Sequence, residues 1–268
     1  MAPYPTECNQ MLKGHKGPVN DACYNKSGQY CLSAGHDRTV RLWNPATGMH
    51  LHTYTGHGRE VLGVAVASDN AKIASCGVDR AVMLWDVGSG EILRRYTAHW
   101  EKVNTVDFNE EATVLASDGL DDAKRLRKSY TSSADGKLRT FDLRMGQMLE
   151  DYIGPAITSA RISKDSNCIL VSTLDNTIRL MDKANGTLLN EFKGHRHTEY
   201  KIESTLTNTD AHAISGSEDG KIYIWDVLED TPVTTLESHE GVVTSVDYHP
   251  SDVAMLSAGG DGCIRIWS

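Results

Sequence analysis

The 268-residue sequence predicts an all-β propeller, a ring of repeated four-stranded sheets closed by its own N-terminal strand, and three observations carry that prediction. The first is a period. Aspartates that follow a Ser/Gly/Thr-rich approach stand at Asp37, Asp79, Asp121, Asp135, Asp175, Asp219 and Asp261, separated by 42, 42, 14, 40, 44 and 42 residues, and self-similarity at 40–45 residues marks propeller blades. The second is a set of companions at fixed offsets. Ser33, Ser75, Ser117, Ser215 and Ser257 stand four residues before an aspartate, and Trp43, Trp85, Trp225 and Trp267 stand six after. His15, His57, His99 and His239 stand twenty-two before, with His195 at twenty-four. The third is composition: 23 Gly, five Trp and ten Tyr against three Phe, with short apolar runs broken by Gly, Asp, Asn and Ser. Many strands joined by tight turns follow from it, and little helix.

In chain order the repeats fall near residues 14–53, 56–95, 98–128 (truncated), 129–152 (partial), 154–192, 194–236 and 238–268, within a single domain. The last residues, Cys263–Ser268, supply the third strand of a final blade and leave it without an outer strand, while Thr6–Lys13 is a strand-length piece ahead of the first repeat. Pairing the two would remove two sheet edges, which are otherwise templates for aggregation. The gap of 14 between Asp121 and Asp135 is short by about 28 residues, too little chain for two blades. Arg127 stands where a Trp is expected, yet Tyr130–Asp142 again reads as a turn and a third strand. The expectation is a seven-repeat ancestor that has lost the end of repeat three and the start of repeat four, leaving six blades. One would be a hybrid, with its inner strands from 102–117, its outer strands from 137–152, and an irregular loop at 118–134. The repeat around Asp175 is degenerate, with Pro155 in place of the His, Val171 of the Ser and Met181 of the Trp. It should be held by packing, around a turn that Asp175-Asn176-Thr177 still makes well.

A net charge of −9 argues against binding nucleic acid or anionic membrane by counterion release, which needs clustered Lys and Arg. The one dense basic run, Lys124-Arg125-Leu126-Arg127-Lys128, is offset by Asp118, Asp121 and Asp122 and reads as a solvated loop. Cys8, Cys23, Cys31, Cys76, Cys168 and Cys263 form no C-x-x-C pair, so neither a zinc site nor a disulfide framework is expected. The N-terminal residues lack the pattern of a secretory leader and no stretch reaches membrane-spanning length, so a cytoplasmic and nuclear location is expected.

Gly14-His15, Gly56-His57 and Gly194-His195 open repeats, and Trp85-Asp86 and Trp225-Asp226 close strands; with the offsets above, these residues resemble the WD-repeat family across almost the whole chain. A His, a Ser and an Asp in hydrogen-bond register also fit a hydrolase triad. Repetition decides against it, because a triad is needed once whereas a blade-stapling network is needed in every blade. The resemblance implies that network for His15/Ser33/Asp37/Trp43, His57/Ser75/Asp79/Trp85, His195/Ser215/Asp219/Trp225 and His239/Ser257/Asp261/Trp267. No unpaired nucleophile, phosphate loop or metal cluster is found, so the chain is not expected to be an enzyme and no cofactor is expected. In such a ring the blade-to-blade connections and the Asp turns share one rim, which leaves Lys16, Asn20, His36, Arg59, Glu60, Trp100, Lys102, Asn104, Glu199, Tyr200 and Glu218 as a candidate protein-docking face. Trp100 is singled out as an aromatic flanked by charges, which fits either an interface anchor, a type enriched at hot spots, or a residue packed flat on the irregular loop at 118–134.

Words that propeller geometry does not require carry a closer likeness: Thr53–Leu62, Lys102–Val106 through Asn109–Thr113, Asp142–Gln147, and Lys193-Gly194-His195 with Glu199-Tyr200-Lys201. They resemble the mitogen-activated protein kinase organisers, a subfamily also associated with the spliceosome. That resemblance implies a scaffold for components of the extracellular-signal-regulated kinase cascade, with splicing factors and a prolyl hydroxylase of the hypoxia response as further partners. A different reading comes from Leu138–Arg144, which resembles the Trp-Asp-x-Arg box of cullin-type ubiquitin-ligase substrate receptors with Phe141 for Trp.

Overall fold

The computed structural model describes residues 4–97, 102–108 and 153–268 in full, and the backbone of four further strands at 115–119, 130–132, 137–142 and 147–152. The chain starts with β1 (Cys8–Lys13) and then builds two blades in succession. These are β2 (Val19–Tyr24), β3 (Cys31–Gly35), β4 (Thr39–Asn44) and β5 (Met49–Thr55), followed by β6 (Val61–Val66), β7 (Lys72–Gly77), β8 (Val82–Asp86) and β9 (Ile92–Tyr96). Next come a two-stranded sheet, β10 (Val103–Phe108) and β11 (Leu115–Gly119), and a three-stranded one, β12 (Tyr130–Ser132), β13 (Lys137–Asp142) and β14 (Gln147–Tyr152). Two more blades follow: β15 (Ile157–Ile162), β16 (Cys168–Thr173), β17 (Thr177–Asp182) and β18 (Leu188–Phe192), then β19 (Ser204–Leu206), β20 (His212–Gly216), β21 (Lys221–Asp226) and β22 (Pro232–Glu237). The last sheet is β23 (Val243–Tyr248), β24 (Met255–Gly259) and β25 (Cys263–Trp267), completed by β1.

β1 pairs antiparallel with β25, from Cys8 opposite Trp267 to Lys13 opposite Cys263, and Glu7 and Ser268 exchange backbone hydrogen bonds at 3.2 and 3.0 Å. β2 lies beside β23 on one side and β6 on the other, so the first and last blades are neighbours.

Burial is graded from the axis outward, and the residue types follow it. The second strands are sandwiched between neighbouring blades on both faces, and the runs CLSAG, HAISG and MLSAG in β3, β20 and β24 are buried at every position. Small Ser, Ala and Gly let adjacent sheets approach. The third strands alternate, with Val40 and Trp43 of β4 turned inward, whereas the outermost strands are largely solvated, as in β5 and β9. The first strands β2, β6, β10, β15 and β23 share a bulge after their first residue, at Val19/Asp21, Val61/Gly63, Val103/Thr105, Ile157/Ser159 and Val243/Ser245. A bulge re-aims the extra side chain.

The expected six blades are corrected by the pairing. Five sheets among the described residues have four strands, and the expected hybrid does not form, because β13 pairs with β12 and not with β11. The stretch expected as an irregular loop contains a strand, Tyr130–Ser132, that meets Thr140–Leu138 across a short connection. Closing so small a loop costs far less chain entropy than bringing β13 back to β11. β12 lies beside β15 and β10 beside β6 and β7, so the two partial sheets occupy consecutive places between complete blades.

Candidate functional site

Three of the four expected networks close with one geometry. In the first blade His15 Nδ1 meets Asp37 Oδ1 at 2.9 Å, its Nε2 meets Ser33 Oγ at 2.7 Å, and the Trp43 indole donates to the same hydroxyl at 2.9 Å. His57, Asp79, Ser75 and Trp85 repeat this at 3.0, 2.8 and 2.8 Å. His239, Asp261, Ser257 and Trp267 do so at 2.9, 2.9 and 3.0 Å. The chain of donors fixes the tautomer: indole N–H to serine oxygen, serine O–H to Nε2, and Nδ1–H to the carboxylate. Each aspartate also takes up backbone; the amides of Lys16 and Gly58 donate to Asp37 and Asp79 at 3.0 Å. Every polar group is therefore satisfied within the network.

The electrostatics are those of a staple and not of a nucleophile. Burial lowers the pKa of His15, His57 and His239 despite the facing carboxylates, so the rings are neutral at pH 7. Burial works against the Asp37 carboxylate, but hydrogen bonds from Thr39, Lys16 and His15 outweigh it and bring its pKa down to about 2. Ser33, Ser75 and Ser257 are fully buried beneath tryptophans, with no approach for a substrate.

The fourth set does not close. The two extra residues between His195 and Asp219 leave the ring against Trp225 (centroids 5.4 Å apart) and Tyr223, with both ring nitrogens buried and without a partner. The Trp225 indole donates instead to the Lys193 carbonyl at 3.0 Å, Ser215 turns to the Gly216 carbonyl, and Asp219, exposed, accepts from the Tyr223 hydroxyl at 2.9 Å. In the degenerate blade Val171 and Met181 are buried in an apolar cluster with Ile157 and Ile169, as expected of a blade held by packing; the turn adds polar bonds of its own, with Arg179 pairing with Asp175 at 2.7 Å and the Thr173 hydroxyl donating to that carboxylate at 2.6 Å.

On the rim, Lys16, His36, Arg59, Lys102, Glu199 and Tyr200 are exposed and Glu60 is half-buried. Glu218 is not a free rim charge. Its carboxylate accepts from the amides of Thr198, Glu199 and Tyr200 at 2.7, 2.6 and 3.2 Å and from the Thr198 hydroxyl, and its pKa is about 2: burial opposes ionisation and these bonds overcome it. It sets the loop that presents Tyr200, which is 51% exposed. Trp100 lies outside the described residues, as do His99, Asp121, Asp135 and the basic run at 124–128; of Leu138–Arg144 only the backbone to 142 is described.

Asn20 does not face outward either. As the bulge residue of β2 it donates to the Val61 carbonyl of the next blade at 2.7 Å. Thr244 does the same to Val19 at 2.6 Å and Thr158 to Ile202 at 3.2 Å. A polar residue directly after Val or Ile at the head of the first strand was the available signal. Asn104 holds the same place in β10, and its backbone carbonyl accepts from the Lys201 ammonium at 3.0 Å. Lys201 also reaches Leu62 O at 3.4 Å and pairs with Glu203 at 2.7 Å, so it ties its own blade to the second and third sheets. Deeper along the axis Arg161 stands 3.8 Å from Glu203 and 3.7 Å from Asp247. Asp21, beside them, has its carboxyl pKa raised far above the ordinary range by burial and by the charge of Glu203.

Comparison with known proteins bears on this repeated geometry. The profile described as "WD domain, G-beta repeat" matches residues 6–44, 48–86, 146–182, 186–226 and 230–268. The chain belongs to the WD-repeat family. It is similar to the WD repeat domain-containing protein 83 of rat and of human, each 49% identical over 280 residues that cover 94% of this chain and 89% of the relative. The mouse protein of that name is 47% identical over 291 residues, covering 98% and 92%. Since 94% of 268 residues is about 252, about 28 of the 280 positions aligned with the rat protein face no residue of this chain. The profile leaves 87–145, the interval containing the short gap, without a matched repeat. WD-repeat propellers are typically non-catalytic modules that bind other proteins, and no catalytic family is indicated for this one. Among the described residues no group of three or more His, Cys, Asp or Glu could hold a metal ion.

Proposed function

We propose that this WD-repeat protein is a non-catalytic scaffold of the kind formed by WD repeat domain-containing protein 83, gathering extracellular-signal-regulated kinase components and splicing factors in the cytoplasm and nucleus. A prolyl hydroxylase of the hypoxia response is a third partner class on the same reasoning. The observation that carries the scaffold reading is the consumption of every repeated His, Ser, Asp and Trp of three blades in internal hydrogen bonds, while the side chains between them on the rim stay exposed. What singles out these partners is the likeness of Thr53–Leu62, and of Lys193-Gly194-His195 with Glu199-Tyr200-Lys201, to the kinase organisers; the identity to the rat, human and mouse proteins supports the scaffold class alone. We infer also that the ring descends from seven repeats, because the deficit of about 28 residues in the alignments equals the shortfall between Asp121 and Asp135.

The test is capture of kinase-cascade and splicing proteins from cell extract, detected by specific antibodies, by the parent protein and by Arg59→Glu and Tyr200→Ala variants of unchanged melting temperature. Loss of capture by the variants supports the reading; capture of neither class by the parent protein refutes it. Co-purification with a cullin-ligase adaptor instead would favour the receptor reading of Leu138–Arg144.

A further inference from the structure

Four of the Asp turns share one backbone form, in which the residue after the aspartate donates its amide to the carbonyl three residues back and adopts a left-handed conformation. Gly220 and Gly262 fill that place in the last two blades, at φ of 83° and 77°. In the first two blades it is filled by Arg38 and Arg80, at φ of 66° and 63°. A residue with a Cβ is disfavoured there, so the first two blades hold strained backbone where glycine would relax it. Strain of this kind, at two equivalent places and with the same side chain, points to a use for that side chain.

The same blades carry further rim cations. Lys16 and Arg59 are exposed beside the first and second networks and Lys102 stands exposed at the head of the third sheet. Among the described residues, Lys16, Arg38, Arg59 and Lys102 make no salt bridge. On the last two blades, the final one of which adjoins the first, the exposed rim carboxylates are Glu199, Asp219 and Glu240, and the exposed cation Arg196 is paired with Glu218 at 3.3 Å. The rim is thus split, in a chain whose net charge is −9.

We propose that the arc formed by the first three sheets is a docking surface for an acidic polypeptide segment, gripped by Arg38, Arg80, Arg59, Lys16 and Lys102. This rests on the scaffold reading and specifies its partner chemistry. Arginine suits carboxylates, because its planar fork meets both oxygens at once and loses less side-chain freedom per hydrogen bond than lysine does. The carboxylates of the last two blades repel the same segment and bound the arc on the side where the final blade meets the first.

The test uses the full chain and a fluorescein-labelled deca-glutamate peptide, followed by anisotropy at low ionic strength. Arg38→Gly/Arg80→Gly should weaken binding by about ten-fold or more while the melting temperature stays level or rises, since glycine relieves the turns. Arg59→Glu/Lys102→Glu should weaken it at least as much, and Glu199→Lys/Glu240→Lys should leave it intact or tighten it. Absence of saturable binding by the parent chain, binding unchanged in either cation variant, or a lowered melting temperature in the glycine variant would each overturn the proposal. Tighter binding of a single-stranded oligonucleotide of equal charge would overturn it in favour of a phosphate polymer. If the peptide fails yet capture of kinase or splicing proteins is lost in Arg59→Glu, the docking face stands and only the acidic class falls; if capture is also unaffected, the docking face falls with it.

Discussion

The side-chain amide of Asn20 donates to the main-chain carbonyl of Val61 at 2.7 Å, joining the first strand of one blade to the first strand of the next. Thr244 and Thr158 make the equivalent link in two other blades. Asn20→Ala would leave the buried end of β6 with an unpaired acceptor. It is expected to lower stability by about 1–2 kcal/mol, measured by urea unfolding, without altering capture of partners by the folded protein.

The closed and open networks make opposite predictions for the same substitution. Asp79→Ala removes the acceptor of His57 and of the Gly58 amide, at a cost of about 1–3 kcal/mol. Asp219→Ala removes an exposed carboxylate that meets no histidine, and its unfolding midpoint should stay close to that of the parent protein. Equal losses in the two variants would contradict the assignment of stability to the His–Asp link.

His195 is buried with both nitrogens unpartnered, against two aromatic rings. Burying polar atoms without partners is unfavourable, so His195→Phe is expected to hold or raise the melting temperature. His57→Phe, which breaks the Nδ1–H bond shared by the two Asp79 oxygens and the bond from Ser75, should lower it. Calorimetry on both variants separates the cases.

Two sets of buried groups give stability opposite slopes with pH. The network histidines and His195 have pKa values lowered by burial, His195 to about 4. They stay neutral in the fold while the unfolded chain takes up protons below pH of about 6.5, so their contribution falls as pH drops through that value. Asp21, its pKa raised by burial and Glu203, acts in reverse. The fold holds its proton while the unfolded carboxyl has lost its own, so stability falls as pH rises from about 4 toward neutrality. Asp21→Asn should therefore stabilise the protein at pH 8 more than at pH 5, read as the difference in melting temperature from the parent at each pH.

Deleting residues 1–12 removes the partner of β25 and exposes its edge. Aggregation or a broadened, earlier thermal transition is expected; a truncated protein that melts like the parent would show that β1 is dispensable.

The strands and three of the four networks were legible because their signals are local in period: Ser33, Asp37 and Trp43 recur at constant offsets, and the strands between them follow. The His195 set misled because its residue types persist while the spacing does not. A two-residue insertion is enough to carry an imidazole past its carboxylate. The six-blade expectation failed at Tyr130–Ser132, three residues too short to read as a strand against the charged stretch before them, which gain their place by pairing with β13. The links made by Asn20, Thr158 and Thr244 were half legible, since the polar residue after Val or Ile marks the donor. The acceptors are backbone carbonyls of the adjacent blade, about one repeat along for Asn20 and Thr158 and 225 residues back for Thr244, and a carbonyl has no letter in the sequence. The left-handed turns at Arg38 and Arg80 were hidden likewise, since nothing in Asp-Arg distinguishes them from a relaxed turn.

The pairing of β1 with β25 also sets an order in time. β1 is made well before its partner, Cys263–Trp267, and can take its place only once that strand has left the ribosome. Until then Cys8–Lys13 is without its native neighbour, a window in which a chaperone or a neighbouring nascent chain competes for it. Once β1 is seated, Glu7 and Ser268 exchange backbone hydrogen bonds, so a short turn between them would join β25 to β1 as a hairpin, and the ring could be reopened at a blade-to-blade connection. A chain rearranged in that way would build the last sheet from strands that follow one another in sequence.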